Sequence, residues 1–133
     1  MPKLQIRYAV LTALYCTGIF VLSAQSDPPV PKMTIPGMDK VAHAVLYAGL
    51  AFVLSWGLWK SNKDLSRRIQ FWLPIAFVAF YGMTDEVHQL YVPHREFEVL
   101  DWVADVAGAF GMQWVLCRVL WKMQGEQTKE SAE

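Results

Sequence analysis

Four long apolar runs separated by short polar stretches organise this chain. They cover about residues 4–22, 39–59, 71–91 and 100–121, and the second continues from His43 as AVLYAGLAFVLSWGLW without a charge. Each is near the ~20 residues a helix needs to cross a bilayer's hydrocarbon, and runs of this length argue against strands. The pattern predicts an all-α, integral membrane four-helix bundle, a single transmembrane domain over residues 1–133. A soluble bundle is the weaker reading, because four such runs leave little polar surface in so short a chain.

The intervening stretches read as connections. Residues 23–38 hold Ser23, Ser26, Pro28, Pro29, Pro31, Pro36 and Gly37, which cannot continue a helix. Lys60 to Gln70 is polar and basic, Val92 to Val99 forms a short polar loop, and the tail after Trp121 is polar and expected to fray. Pro74 is expected in the first turn of the third run, where its missing N–H is tolerated. In the fourth run Ala104, Ala107, Gly108 and Gly111 are small residues at helical spacing, which permits close approach of a neighbouring helix. The first run, with Lys3 and Arg7 at its start and Ala24-Gln25-Ser26 behind it, also has the outline of a signal peptide; the rest of the chain is membrane-like either way.

Basic residues near span ends set orientation. In the four-span arrangement Lys3, Arg7, Lys60, Lys63, Arg67, Arg68, Arg118, Lys122 and Lys129 fall on one side, against Lys32, Lys40 and Arg95 on the other. Both termini are therefore expected in the cytoplasm, with the chain in the cytoplasmic membrane and the loop at 92–99 outside.

Composition narrows the function. The chain is 54% hydrophobic with six Trp and seven Phe, its formal charge is zero, and it has no basic stripe with interleaved aromatics. Nucleic acid is therefore not an expected partner, whereas the lipid bilayer is. Cys16 and Cys117 lie in apolar runs outside any CxxC pattern and read as free thiols.

The candidate chemistry sits in YGMTDEVHQLYVPHRE, residues 81–96, and in the starts of runs two and four. A carboxylate at a span's centre costs roughly 2.5 to 3.5 kcal/mol on insertion scales, so it seldom persists without a role. At ~1.5 Å per residue, His43 lies about 6 Å beyond Asp39, Asp105 about 6 Å beyond Asp101, and Asp85 about 9 Å before Tyr91, so three helices bring polar groups to one level. Tyr47 extends the face that Asp39 and His43 share. Five carboxyls (Asp39, Asp85, Glu86, Asp101 and Asp105) face only Lys40 and Arg95. The excess calls for protonation, for a bound cation, or for Arg95 reaching back into the site. A divalent cation is chemically sensible, with Asp85, Glu86, His43 and Asp101 as candidate ligands, although no HExxH-like spacing is present. Plain alternatives stand beside this: Asp39 and Asp101 suit the positive ends of their helices, Asp85 and Asp105 suit interhelical hydrogen bonding, Glu96 and Glu98 suit solvated loop charges, and His88 and His94 suit the interface.

On these residues the chain resembles the VanZ-like family of small membrane proteins, associated with resistance to the glycopeptide teicoplanin. The resemblance rests on Ser23 and Gln25 after the first run, DKVAHAVLYAGL at Asp39 to Leu50, TDEVHQLYVPHR at Thr84 to Arg95, and DWVADVAGAFG at Asp101 to Gly111. The family pattern usually has Gly where His94 stands and often Asn where Asp105 stands. The resemblance implies a cell-envelope protein linked in some members to glycopeptide tolerance, and supplies no mechanism. Some relatives are labelled phosphotransbutyrylases, but this chain has no Gly-rich phosphate loop.

Two functions from different classes remain open. One is an enzyme or enzyme-like site that modifies a lipid-linked cell-wall precursor or an anionic lipid head group. Asp85, Glu86 and His43 would then act as acid, base or metal ligands, Arg95 as a clamp, and Gln89, Asp39, Tyr47, Asp101 and Asp105 as further binding residues. The other is a non-catalytic accessory membrane protein in which the same groups form a structural interhelical network.

Overall fold

The structure, a computed structural model, describes residues 4–26, 36–62 and 64–132. Pro28, Pro29 and Pro31 of the first connection, and the basic residues Lys3, Lys32 and Lys63, lie outside the described residues. Four helices make up the fold: α1 (Ile6–Ser23), α2 (Met38–Ser61), α3 (Arg67–Gln89) and α4 (Val99–Glu130), with no strand among the described residues.

The helices are inside out relative to a soluble bundle. Large apolar side chains face outward, with Val45 67% and Phe80 72% exposed, while Ser55, Gln70, Asp85, Glu86, Gln89, Asp101, Asp105 and Gln113 are buried. Water would make this arrangement costly, whereas lipid favours it, since polar groups in a membrane face the bundle interior. Helices α1, α2 and α4 are long and apolar enough to cross a membrane. The 23-residue α3 is less apolar because Arg67, Arg68 and Gln70 open it and Asp85, Glu86, His88 and Gln89 close it. Its polar end is turned inward, with Asp85, Glu86 and Gln89 all buried.

Packing places α2 and α3 at the centre. Helix α2 contacts each of the other three, most extensively α4, while α1 lies against α2 and α3 and makes no contact with α4 among the described residues. The α2–α4 approach depends on Gly108, where a Cβ would run into the Ala44 carbonyl; Gly111, of the same small-residue series, has nothing within 4 Å. A core of Ile19, Tyr47, Leu50, Ala51, Val78 and Ala109 joins all four helices. Tyrosine hydroxyls fasten α1: Tyr15 donates to the Leu46 carbonyl at 2.8 Å and Tyr81 to that of Cys16 at 2.6 Å.

The two ends differ in charge. The Gln5 N–H donates to Ser61 Oγ at 3.0 Å, joining the start of α1 to the end of α2, and Trp121 Nε1 donates to Gln70 Oε1 at 2.8 Å, joining late α4 to early α3. At this end cations lie over rings, Lys60 above Trp56 and Trp59, Arg67 above Trp121 and Arg118 above Trp114. Basic and aromatic residues together suit a membrane interface. The opposite end holds the start of α2, the end of α3 and the start of α4, and with them the carboxylates.

Two expectations about element boundaries change, and one about a side chain. Helix α3 begins at Arg67, because Ser66 Oγ accepts from the Ile69 N–H, so Pro74 falls inside the helix and not in its first turn. Its ring leaves the Gln70 carbonyl without the usual partner four residues on. The tail does not fray after Trp121: α4 continues for 32 residues, ~48 Å at 1.5 Å per residue, well beyond a ~30 Å hydrocarbon core. His88 is not simply interfacial, since its ring stacks on Phe20 with centroids 4.5 Å apart and links α3 to α1.

Candidate functional site

Asp39, Lys40 and His43 lie in the first turns of α2, with Tyr47 one turn further. Asp85, Glu86 and Gln89 close α3 on one face, and Asp101 and Asp105 lie one turn apart at the start of α4. Residues three and four apart share a helix face, so each helix turns its polar pair toward the others.

The groups form three connected parts. At the rim, Lys40 Nζ donates to Asp39 Oδ2 at 2.8 Å, Glu98 Oε2 at 2.8 Å and Asp101 Oδ1 at 2.9 Å. Three carboxylates thus surround one ammonium, which fills the position that another cation would take. Deeper, His43 Nδ1 lies 2.9 Å from Asp105 Oδ1, and His43 Nε2 lies 3.7 Å from Asp101 Oδ2. Beside these, Tyr47 Oη donates to Asp85 Oδ2 at 3.0 Å. The His43 and Tyr47 rings are stacked, 6.4 Å between centroids and 5° between planes.

Glu86 sits between rim and interior. Its Oε2 accepts the Glu98 backbone N–H at 3.2 Å, while its Oε1 is buried with no hydrogen-bond partner among the described residues. Asp105 Oδ2 is likewise buried and unpartnered. Both residues are 0% exposed. Gly82, one turn before Glu86, makes room for that second Asp105 oxygen: a Cβ there would lie 2.9 Å from Oδ2. One nitrogen of His43, one oxygen of Glu86 and one of Asp105 all lie within 4.8 Å of one another.

A family model described as VanZ/LLP1 matches residues 5–121. The chain belongs to the VanZ/LLP1 family. No curated protein and no solved structure matches it. With its apolar helices, family membership makes this a membrane protein.

Of the residues singled out in sequence, this VanZ/LLP1 chain brings Asp39, His43, Tyr47, Asp85, Glu86, Asp101 and Asp105 to one end, and buries Gln89 on the face of α3 that carries Asp85 and Glu86. Arg95 is different. Its backbone N–H donates to the Val92 carbonyl at 3.2 Å; the residue is half-buried, and its guanidinium makes no ion pair among the described residues. The cation engaged with the carboxylates is Lys40. Glu98, expected as a solvated loop charge, contributes its carboxylate to Lys40 and its N–H to Glu86.

A second polar layer was not singled out at all. Ser55 donates to Gln113 Oε1 at 3.2 Å, Gln113 Nε2 donates to the Ala51 carbonyl at 3.3 Å, and Cys117 Sγ donates to Gln113 Oε1 at 3.4 Å. The signal available was Gln113 itself, an amide within the fourth apolar run. Neither Cys16 nor Cys117 forms a disulfide.

Proposed function

We propose that this is a multi-pass protein of the bacterial cell envelope whose polar end faces outward, binds or modifies an anionic, lipid-linked envelope component, and contributes to teicoplanin tolerance. The observation that supports this most is the unpaired oxygen on each of two fully buried carboxylates, Glu86 and Asp105. A network evolved only to hold helices together tends to pair such groups, because a buried unpaired acceptor carries its full desolvation cost. Arg95 has a planar fork free of carboxylate partners among the described residues, which suits a phosphate or carboxylate on a head group.

A structural reading is favoured by a different observation. Tyr47 with Asp85, and Gln113 with Ser55, are closed interhelical pairs that fix α2 against α3 and α4 without any ligand.

The test is the teicoplanin tolerance of cells producing the wild-type chain, Glu86→Gln, or none, at matched membrane protein levels. Loss of tolerance in Glu86→Gln, with the purified variant melting within a few degrees of wild type, is the expected result. Loss of tolerance together with loss of the fold would favour the structural network, and unchanged tolerance would remove the ligand site.

A further inference from the structure

We infer that His43, Glu86 and Asp105 form a binding site for a divalent cation, one residue from each of α2, α3 and α4. The inference rests on reading the cluster as a ligand site and gives that site its chemistry. Three ligand atoms of these residues already lie within 4.8 Å of one another. Glu86 Oε1 and Asp105 Oδ2 are shut off from solvent and have no hydrogen-bond partner among the described residues, although both residues are 0% exposed.

His43 Nδ1 lies 2.9 Å from Asp105 Oδ1 and the Glu98 N–H donates to Glu86 Oε2, but no neighbouring group among the described residues reaches the second oxygen of either acid. Lys40 is committed to Asp39, Glu98 and Asp101, and Tyr47 donates to Asp85. The sequence alone suggested Asp85 and Asp101 as ligands with Glu86 and His43; the inferred site takes Asp105 instead, because Asp85 and Asp101 accept from Tyr47 and Lys40 while Asp105 keeps one buried oxygen unpaired among the described residues. A second acidic group, Asp39, Glu98 and Asp101, also has the spacing for an ion, but Lys40 Nζ stands among its oxygens at 2.8 to 2.9 Å.

Two carboxylates and a neutral imidazole neutralise a doubly charged ion. One nitrogen and two oxygen donors suit Mn²⁺ or Zn²⁺ better than an all-oxygen cation such as Mg²⁺ or Ca²⁺. Three protein ligands leave at least one coordination position open. An ion there would offer an anionic oxygen, such as that of a phosphate, a positive partner within a carboxylate-rich cluster. Gly82 contributes by omission, since a side chain there would displace the Asp105 oxygen turned toward α3.

The test uses the full chain purified in detergent, loaded with Mn²⁺ or Zn²⁺, desalted and measured for bound metal. About one ion per chain is expected, with affinity weakened ~100-fold or more in Glu86→Gln, since even residues behind the ligands typically contribute 10- to 100-fold. Asp85→Asn should retain the ion. A second measurement needs no variant: pulsed electron paramagnetic resonance of the Mn²⁺ form should show coupling to an imidazole nitrogen. No bound ion in the wild type, undiminished binding in Glu86→Gln, or a bound Mn²⁺ without nitrogen coupling would each overturn the site. If the wild type binds no metal yet still requires Glu86 for teicoplanin tolerance, the metal site falls and the ligand-site reading stands. If it binds the ion through Glu86 while tolerance is indifferent to Glu86, the metal site stands and the functional reading falls.

Discussion

His43 Nδ1 and Asp105 Oδ1 lie 2.9 Å apart although 62 positions separate the residues, and their contact ties the start of α2 to the start of α4. The other Asp105 oxygen has no partner, so His43 provides the only side-chain hydrogen bond to this carboxylate among the described residues. His43→Ala would leave a fully buried carboxylate without its side-chain hydrogen bond, a loss of about 1–3 kcal/mol. Asp105→Asn keeps an acceptor and removes the charge, and should cost about 1 kcal/mol or less. Thermal or denaturant unfolding in detergent checks this; equal destabilisation by both changes would contradict the pairing.

Gly108 and Gly111 provide a contrast within one helix. Both belong to the same small-residue series, yet only at Gly108 would a Cβ meet the backbone of α2, at the Ala44 carbonyl. Gly108→Ala must move one helix or the other and should cost about 1–3 kcal/mol, as overpacking does. Gly111→Ala enters open space and should be neutral or slightly stabilising, because alanine is the better helix former by about 1 kcal/mol. Comparable melting temperatures for the two variants would show that α2 and α4 do not meet at Gly108.

How far the sequence reveals this structure depends on the kind of signal. Helix number and type follow from the length of the apolar runs, a property of composition that tertiary packing does not alter. The gathering of Asp39, His43, Asp85, Glu86, Asp101 and Asp105 at one end follows from depth along each helix. Partners are less legible, because they depend on helix rotation and side-chain reach. Arg95, expected to reach back into the site, makes no ion pair among the described residues, whereas Lys40, beside Asp39 on α2, spans to Glu98 and Asp101. Glu98 looked like a loop charge because nothing local shows that it precedes α4 directly opposite Lys40. His94 is instructive in the other direction. It has φ +64°, the one positive φ at a non-glycine among the described residues, and the related pattern usually has glycine there. Histidine is among the side chains that enter this region more readily than most, so the departure is tolerated.

Orientation is set by the difference between the two ends. The end with Lys60, Arg67 and Arg118 over tryptophan rings is expected in the cytoplasm, since basic residues are retained there. A single cysteine at Val99, in a background without Cys16 and Cys117, should react with a membrane-impermeant maleimide in intact cells, and one at Ser61 should react only after permeabilisation. The reverse pattern would turn the polar cluster inward and remove any direct encounter with a cell-wall precursor.

Lys40 and Arg95, both at the acidic end, should fail in different ways. Lys40 holds Asp39, Glu98 and Asp101 together across α2 and the start of α4, and without it three like charges face one another. Lys40→Ala should therefore lower the melting temperature, and Lys40→Ala with Asp101→Asn should recover part of the loss. Arg95 has no such partner among the described residues, so Arg95→Ala should leave stability within about 0.5 kcal/mol of wild type, as surface changes usually do. Its effect should appear only in teicoplanin tolerance. Because a planar guanidinium grips a phosphate or carboxylate through two parallel bonds and an ammonium does not, Arg95→Lys should lose tolerance almost as fully as Arg95→Ala. Full tolerance in Arg95→Lys with loss in Arg95→Ala would reduce the role of Arg95 to charge alone, and full tolerance in both would eliminate Arg95 from the site.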